Sequence, residues 1–354
     1  MRLKHLREWM LLPEKEYIIN QCVNIRGTDV QILSFTIEED KNRLWFIYEQ
    51  EDSFEDELEC NMEHEYKERI KSNRDEKLDN IERRNRDKYF FIEKVEIQNQ
   101  TITFSSSSSS SIYDMNREGI MQLQHFVEKG LILDKWDDVR LKNLVIAQYE
   151  QKEDEEAPVI DNTKELDIKL YINPDSKEIA IQHPFKVRFG KQDIGTKIIY
   201  FDEELCRENY FFINEIYSFD VYEDIKKKTE EIEDVEMREN MLNNFMEALE
   251  RVCPRDKNLA VIKYETVDDT QLNFYFKEHL DREPINYRND SSIIGGASSV
   301  GIIWGSNEKE IGINGYKLRE CVLQHIDKNF SGELEIELFS RYLQIPGEIL
   351  RVIG

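Results

Sequence analysis

The sequence has few cysteines, and they are spaced too far apart to form a recognisable cysteine motif. The five are Cys22, Cys60, Cys206, Cys253 and Cys321. An odd number without a CxxC pair argues against a disulfide framework and against a structural zinc site. The pattern therefore predicts a chain whose thiols stay reduced, as they do in the cytoplasm.

Long apolar segments are also lacking. The opening stretch, MRLKHLREWMLLPEKEY, reaches a proline after only a few apolar residues, which is unlike a secretory leader. No apolar run approaches the roughly 18 residues that a membrane-spanning helix needs. We therefore expect a soluble cytoplasmic protein that has no membrane partner.

Basic residues are too few to balance the acidic ones. The chain of 354 residues has 48 lysines and arginines against 73 aspartates and glutamates, which gives a net charge of −25. This charge opposes broad attraction to nucleic-acid phosphates or anionic lipid. The apolar fraction of 40% is nevertheless enough to fill a sizeable core.

Motifs that identify a reaction are absent from the sequence. The glycine-rich stretch GGASSVGIIWG lacks the GK[ST] ending of a phosphate loop and the GxGxxG spacing of a dinucleotide turn. No GxSxG elbow occurs, and none of the six histidines lies at metal-ligand spacing from another histidine or a cysteine. The sequence therefore predicts no cofactor. It favours a non-enzymatic protein and leaves open an enzyme whose residues meet only in the fold.

One stretch, DKNFSGELEIELF at residues 327–339, has part of the spacing of an EF-hand calcium loop. The candidate ligands are Asp327, Asn329, Ser331 and Glu335. Position 12, where the loop needs a bidentate glutamate, is instead Leu338. We therefore predict no metal site here, but a helix that is capped at Gly332 and followed by an edge strand, ELEIELF.

The first half of the chain has strand-like runs interrupted by one highly charged segment. Residues 17–49 contain three runs of branched and aromatic residues separated by turn residues, which predict a small antiparallel meander. Residues 54–86 are mostly charged, lack glycine and proline, and place acids four residues before bases, so they predict a long exposed helix. Two more strands follow. The serine tract at 105–111 is predicted to be a mobile loop because it cannot bury a core.

The second half repeats this order of elements. Strand-like runs precede a long predicted helix at 221–252, and two strands, a glycine-rich segment and a helix, YKLRECVLQHIDKN, follow it. Six apolar residues of the long helix fall on an approximate heptad seam. They are Ile225, Ile232, Val235, Leu242, Met246 and Leu249. The seam predicts a coiled-coil or partner-binding helix.

Together these patterns predict an α+β fold of two related modules. Each module is expected to be a small antiparallel sheet or barrel with a long charged helix inserted before its last two strands. The modules are expected to occupy residues 1–149 and 163–354, joined by an acidic linker at 150–162.

A short sequence echo favours an internal repeat. LQHFVEK at 123–129 resembles LQHIDKN at 323–329, and each lies near the end of a predicted short helix in its own half. The echo predicts that His125 and His325 have a shared structural role.

The leading functional hypothesis is a non-enzymatic interaction or scaffold protein. The helices at 54–86 and 221–252 are its predicted partner-binding or self-association elements, because their one-sided apolar seams need a mate.

The alternative hypothesis is an accessory factor that binds single-stranded nucleic acid. The order of three strands, a helix and two strands in the first half is that of an OB-fold, which presents aromatic residues to single strands. Its candidate contact residues are Arg83, Arg84, Arg86, Lys88, Tyr89 and Phe91. The net negative charge of the chain disfavours this hypothesis.

Overall fold

A computed structural model describes most of the chain. The described residues are 4, 7, 9–50, 70–86, 90–113, 116–161, 163–230, 234, 238, 242, 246, 249–284 and 310–353. The chain divides into two compact units. The first comprises Met1–Met62, Arg83–Asp175 and Gln344–Gly354, and the second comprises Glu63–Glu82 and Ser176–Leu343.

Strands dominate both units. In chain order they are β1 (Lys15–Ile25), β2 (Thr28–Ile37), β3 (Asn42–Glu49), β4 (Ile92–Ile97), β5 (Gln100–Ser111), β6 (Leu144–Gln151), β7 (Asp167–Ile172), β8 (Asp175–Arg188), β9 (Gly190–Asp202), β10 (Arg207–Phe219), β11 (Lys257–Thr266), β12 (Leu272–Phe276), β13 (Leu318–Asp327), β14 (Glu333–Ile345) and β15 (Glu348–Ile353). The α-helices with described bounds are α1 (Asn73–Arg86), α2 (Arg117–Glu128), α3 (Val221–Glu230) and α4 (Lys277–Leu280). Two short 3-10 turns lie at Asp134–Trp136 and Leu141–Asn143.

The first unit contains an eight-stranded antiparallel sheet that nearly closes into a barrel. Its strand order is β1-β2-β3-β6-β5-β4-β7-β15. The two end strands approach each other at Arg26, which directly follows β1. Its guanidinium donates to the Pro346 carbonyl at 3.3 Å and lies 4.0 Å from the Glu348 carboxylate. Near-closure leaves little of the outermost strands open to pairing with other chains.

Alternate side chains of these strands fill the inside of the barrel. On β3, Leu44, Phe46 and Tyr48 join the inner core cluster, whereas Trp45 and Ile47 join a second cluster on the outer face. Because side chains of a strand alternate between its two faces, burial of both faces explains why β3 is apolar along most of its length.

The outer cluster is covered by α2 and the chain that follows it. Leu123 and Phe126 of α2 pack on this face of the sheet. Gln31 of β2 is fully buried there, and its amide nitrogen donates to the Leu131 carbonyl at 2.5 Å while its amide oxygen accepts from the Trp136 indole at 2.6 Å. Because both ends of the amide are satisfied, burial of Gln31 ties the covering segment to the barrel at one place.

The second unit is built from two antiparallel sheets. Their strand orders are β13-β11-β10-β9 and β12-β14-β8. Side chains from both sheets share one core, which includes Phe211 and Tyr264 from the first sheet and Phe274 and Ile336 from the second. Shared burial of these inner faces makes the unit a β-sandwich.

A buried ion pair lies in the second unit. The Arg341 side chain is 2% exposed and the Asp202 side chain 0% exposed, and the guanidinium Nε lies 2.6 Å from the carboxylate. A second guanidinium nitrogen donates to the same carboxylate at 3.0 Å. The pair joins β14 of one sheet to the end of β9 in the other, so it fixes their relative placement within this unit.

The expected α+β class is wrong. The described chain is mostly β, and its longest helix with described bounds, α1, has 14 residues. Residues 54–69 of the predicted first long helix lie outside the described residues. The predicted coiled coil is also contradicted: α3 ends at Glu230, and its buried Val221 packs on Leu249 and Cys253 of its own unit. Its apolar side is thereby satisfied within the chain.

Two local predictions are wrong because long-range strand pairing overrides local pattern. The stretch predicted as the last short helix contains β13, which pairs antiparallel with β11. The serine tract is the second half of β5 and pairs with β6. LQHFVEK lies in and just after α2, whereas LQHIDKN lies in β13 and its following turn, so the sequence echo does not mark equivalent elements.

Among the described residues, no helix is long and apolar enough to cross a membrane.

Replacing Arg341 by methionine is expected to lower the free energy of unfolding by about 3–5 kcal/mol, because Asp202 is left as an uncompensated buried charge. Urea-induced unfolding followed by fluorescence measures this change. The exposed pair between Arg351 and Asp167 in the first unit supplies the control: Arg351→Met is expected to leave stability nearly unchanged, since solvent screens that pair. Equal effects of the two substitutions would contradict the assignment.

Candidate functional site

The predicted partner-binding seam is partly buried within the chain. Ile225 and Leu249 pack in one cluster with Val221, Cys253 and Leu259. Leu242 and Met246 are half-buried, and Ile232 and Val235 lie outside the described residues. Two of the four described seam residues, Ile225 and Leu249, are therefore packed within the protein's own core.

The aromatic candidate Phe91 is half-buried and packs against the barrel core beside Tyr149. Among the other candidates for nucleic-acid contact, Arg83, Arg84 and Arg86 lie in the last turn of α1, and Lys88 and Tyr89 lie outside the described residues. The one described aromatic candidate is thus engaged with the protein's own core.

The EF-hand-like residues lie where the chain passes from β13 in one sheet to β14 in the other. Asp327 ends β13, Asn329 and Ser331 lie in the turn, and Glu335 belongs to β14. The Asp327 carboxylate lies 3.2 Å from the Lys257 ammonium, and that of Glu335 lies 3.2 Å from the Lys277 ammonium. The loop thus joins two strands and has no helix on either side. Within the described ranges, no three histidine, cysteine or acidic residues are grouped as metal ligands.

The serine tract forms part of a strand, which local sequence patterns did not predict. Opposite residues across the β5–β6 pair include Ser107 with Tyr149 and Ser109 with Ala147. The register shifts between Phe104 and Ser106, which marks a bulge at that point. Directly opposite residues share a face of the sheet, and Tyr149 and Ala147 are inner core residues. Ser107 and Ser109 therefore face the inside of the barrel.

Backbone groups of the serine tract divide between the two edges of β5. The Ile112 amide donates to the Leu144 carbonyl at 3.0 Å. Hydrogen-bonded and non-hydrogen-bonded pairs alternate along an antiparallel ladder. Counting back from Ile112, Ser110 and Ser108 bond to β6, whereas the amides and carbonyls of Ser107, Ser109 and Ser111 point to the opposite edge. There the Ser111 carbonyl accepts from the Asn116 side-chain amide at 2.7 Å.

That opposite edge is only partly paired. Residues of β4 pair with β5 over Gln100–Thr103, and no described residue pairs with this edge of β5 beyond Thr103. On the N-terminal side of its pairing with β5, the chain of β4 stays beside β7. There the Asn173 amide donates to the Phe91 carbonyl at 2.9 Å. The two strands thus diverge, and all the serines of the tract except Ser107 are exposed. Among the described residues, β5 therefore presents an open strand edge here.

A cleft opens into the barrel where the strands diverge. Its volume is about 70 Å³. Its lining consists of aromatic rings, one methyl group and serines: Tyr48, Phe90, Tyr149, Ala147, Ser107, Ser108 and Ser109. The serines are too small to fill the barrel at this end, whereas Phe104 fills the same strand's inner face one bulge earlier.

The walls of the cleft are held rigidly. The Tyr149 hydroxyl donates to the Phe90 carbonyl at 2.8 Å, and the Tyr149 ring packs edge-on against Phe46 at 5.4 Å between ring centroids. On the outer face, the Gln148 amide donates to the Ser108 hydroxyl at 2.8 Å, and the Asn116 amide donates to the Ser110 hydroxyl at 2.5 Å. Asn116 also caps α2, so the serine strand is tied to that helix.

Two glutamates lie on the strands that flank the start of the serine tract. Glu93 is exposed at a register shift of β4 against β7, between Ile92 and Lys94. Glu150 lies opposite Ser106 on β6, with its carboxylate 3.9 Å from the Lys41 ammonium. Among the described residues that line the cleft, none is a histidine, a cysteine or an acid that could serve its serines as a general base. Its geometry suits binding.

A second polar cluster, in the second unit, has a structural role. The Glu265 carboxylate is fully buried on β11 and accepts from the amides of Asn314 at 3.1 Å and Tyr316 at 2.9 Å and from the Asn214 side chain at 2.7 Å. Burial alone raises the pKa of Glu265, but these hydrogen bonds outweigh it and lower the pKa below its ordinary value. The ionised carboxylate therefore anchors the turn that contains Gly312.

Replacing Glu265 by glutamine is expected to lower the free energy of unfolding by about 1.5–3 kcal/mol, because hydrogen bonds to a charged acceptor are lost. Gly312→Ala is expected to weaken the same anchor, since an added methyl group would overlap the Glu265 carboxyl. Urea unfolding and amide hydrogen exchange at Tyr316 measure both effects. Glu208→Gln, at an exposed position, serves as the control; unchanged exchange at Tyr316 in Glu265→Gln would contradict the anchor.

His279 of α4 is a half-buried titratable group in the second unit. Burial, followed by the positive charges of Lys77 and Arg282 and the neighbouring His325, lowers the pKa of His279 to about 4. Its ring lies stacked at 6.4 Å from the Tyr275 ring. It is therefore neutral near pH 7, with one ring N–H donor and one acceptor nitrogen.

Acid is expected to destabilise the second unit through His279. The unfolded histidine binds a proton near its ordinary pKa of 6.5, and the folded one only near 4. Stability is therefore full above pH 6.5 and is lost as the pH falls toward 4. Urea midpoints at pH 7 and pH 4.5 measure the loss, and His279→Gln is expected to reduce it. An unchanged loss in that variant would assign the acid sensitivity to other groups.

Searches of protein-family models, of curated proteins and of solved structures found no match to this chain.

Proposed function

We propose that this is a non-enzymatic interaction protein that binds an extended segment of a protein partner by β-strand addition at the serine edge of β5. The observation that supports the proposal most directly is the geometry of the strand at Ser107 and Ser109. Backbone groups of every second residue point away from β6 toward an edge that no described strand occupies. Strand addition uses such groups for affinity and adjacent pockets for specificity.

Exposure of this edge would be a liability without a partner. Open edges of regular strands invite pairing with other chains, and proteins usually protect them with charge, proline or a covering segment. The serine tract has no proline and no charged side chain. Within the part of the chain that the structure describes, no strand covers this edge at Ser107 and Ser109, and such an edge is what a binding site for an extended segment requires.

The size of the cleft favours a peptide over a free small molecule. Pockets for cofactors and drug-sized ligands have volumes of roughly 300–1,000 Å³. A cleft of about 70 Å³ is too small for such a ligand but matches part of one side chain. The backbone edge would then supply the remaining contacts.

Charge favours a basic partner. The chain has a net charge of −25, and Glu93 is exposed where β4 leaves β5. Opposite charge speeds encounter and discriminates against wrong partners. The same charge and the buried aromatic residues give no support to nucleic-acid binding.

We also propose that the protein works in the cytoplasm. All four described cysteines are free, and Cys22 and Cys206 are exposed. Exposed free thiols suit a reducing compartment, where they are not oxidised to disulfides.

The test uses a fluorescent seven-residue peptide that alternates lysine and valine. Wild-type protein is expected to bind it, and Ser109→Pro is expected to weaken binding at least tenfold. Proline removes the Ser109 amide that points to the open edge and leaves the β6 ladder intact, since proline is tolerated where the amide of an edge strand faces solvent. Fluorescence anisotropy measures the affinity.

Two matched controls separate strand addition from charge attraction. A peptide with N-methyl groups on alternate residues keeps the same charge and side chains but cannot form a strand ladder along its methylated edge. Ser108→Pro is expected to destabilise the fold, because the Ser108 amide bonds to β6. Equal binding of the two peptides, or of wild type and Ser109→Pro, would overturn the proposal.

A further inference from the structure

We infer that the cleft selects one small branched aliphatic side chain of the added strand, at the position opposite Ser109, with basic residues on either side of it. This inference rests on the proposed strand addition. It goes further because it names the chemical pattern of the partner segment.

The position of the selected residue follows from the alternation of strand faces. A partner residue opposite Ser109 places its side chain on the same face of the sheet as Ser109. That face is the inside of the barrel, where Ser109 lies across from Ala147. One partner side chain therefore points directly into the cleft, and its two chain neighbours point away from it.

The lining determines which side chain fits. Three of the walls are the buried rings of Tyr48, Phe90 and Tyr149, and a fourth is the Ala147 methyl group. A charged side chain would lose its hydration there without gaining an ion-pair partner from the lining. An indole exceeds a cleft of about 70 Å³, whereas valine fills much of it without moving the walls.

The neighbouring side chains of the partner meet a polar surface. On the outer face of β5 are the hydroxyls of Ser108 and Ser110, which accept from Gln148 and Asn116. Lysine or arginine beside the aliphatic residue suits the net charge of −25 and can cover this face with its stem. The expected pattern is basic, aliphatic, basic.

The test varies only the central residue of the lysine-flanked peptide, using valine, alanine, tryptophan or aspartate. Valine is expected to bind about tenfold more tightly than alanine, because two buried methyl groups are lost. Tryptophan and aspartate are expected to bind more weakly than alanine. Isothermal titration calorimetry gives the four affinities.

Substitutions that enlarge a side chain in the lining of the cleft provide protein variants that match the peptide series. Ala147→Leu is expected to abolish the preference for valine over alanine, and binding of the alanine peptide should remain sensitive to N-methylation. Ser107→Val fills the cleft from the other wall, and it replaces Ala147→Leu if far-UV circular dichroism shows that the core substitution disturbs the fold.

The outcomes distinguish the inference from the proposed function. If peptides bind in an N-methyl-sensitive way but show no preference at the central position, strand addition stands and the selectivity is wrong. A preference that survives both cleft-filling variants places the selecting surface elsewhere and also overturns the inference. If no peptide binds, or if N-methylation has no effect, the proposed function fails and the inference fails with it.

Discussion

The antiparallel pairing of β5 with β6 is the interaction on which the candidate site depends. Serine has little to bury, so the tract holds a strand conformation because its backbone bonds to a strand that is anchored on both faces. Val145 and Ala147 of β6 face the inner core, and Leu144 and Ile146 face the outer cluster. If the register of β6 shifted by one residue, its inner side chains would face outward and its outer side chains would face inward. The register of β6 in the sheet is therefore fixed, and β5 takes its own register from pairing with β6.

The same register explains why a cleft exists. Along β5, Ile102 and Phe104 fill the barrel, and beyond the bulge the inward positions are serines. Protein interiors are close-packed, so a change from a phenylalanine to serines must be compensated or leave space. The large rings of Tyr48 and Tyr149 close part of that space, and divergence of β4 opens the remainder to solvent. Packing and strand topology together thus produce a site that contains no unusual residue.

The second unit uses buried charge for a different purpose. Arg341 and Asp202 join its two sheets, and Glu265 holds the turn around Gly312. Each charged group is enclosed by hydrogen bonds or an opposite charge, which is the condition under which burial is tolerated. Such groups contribute to a unique arrangement because any alternative packing leaves a charge without a partner. Their enclosure also explains why they are structural anchors and not candidate catalytic groups.

Local composition was sufficient for much of the strand content. Runs of branched and aromatic residues correctly predicted β1, β2 and β3. Helical periodicity wrongly predicted a helix at β13, because pairing with β11 outweighs the local helical preference of that stretch. The serine tract gave no local signal of a strand, and its inward positions, open edge and cleft could not be predicted from it. These features arise from hydrogen bonds and packing between residues about 40 apart, and a local pattern carries no information about which distant strand will supply the partner groups.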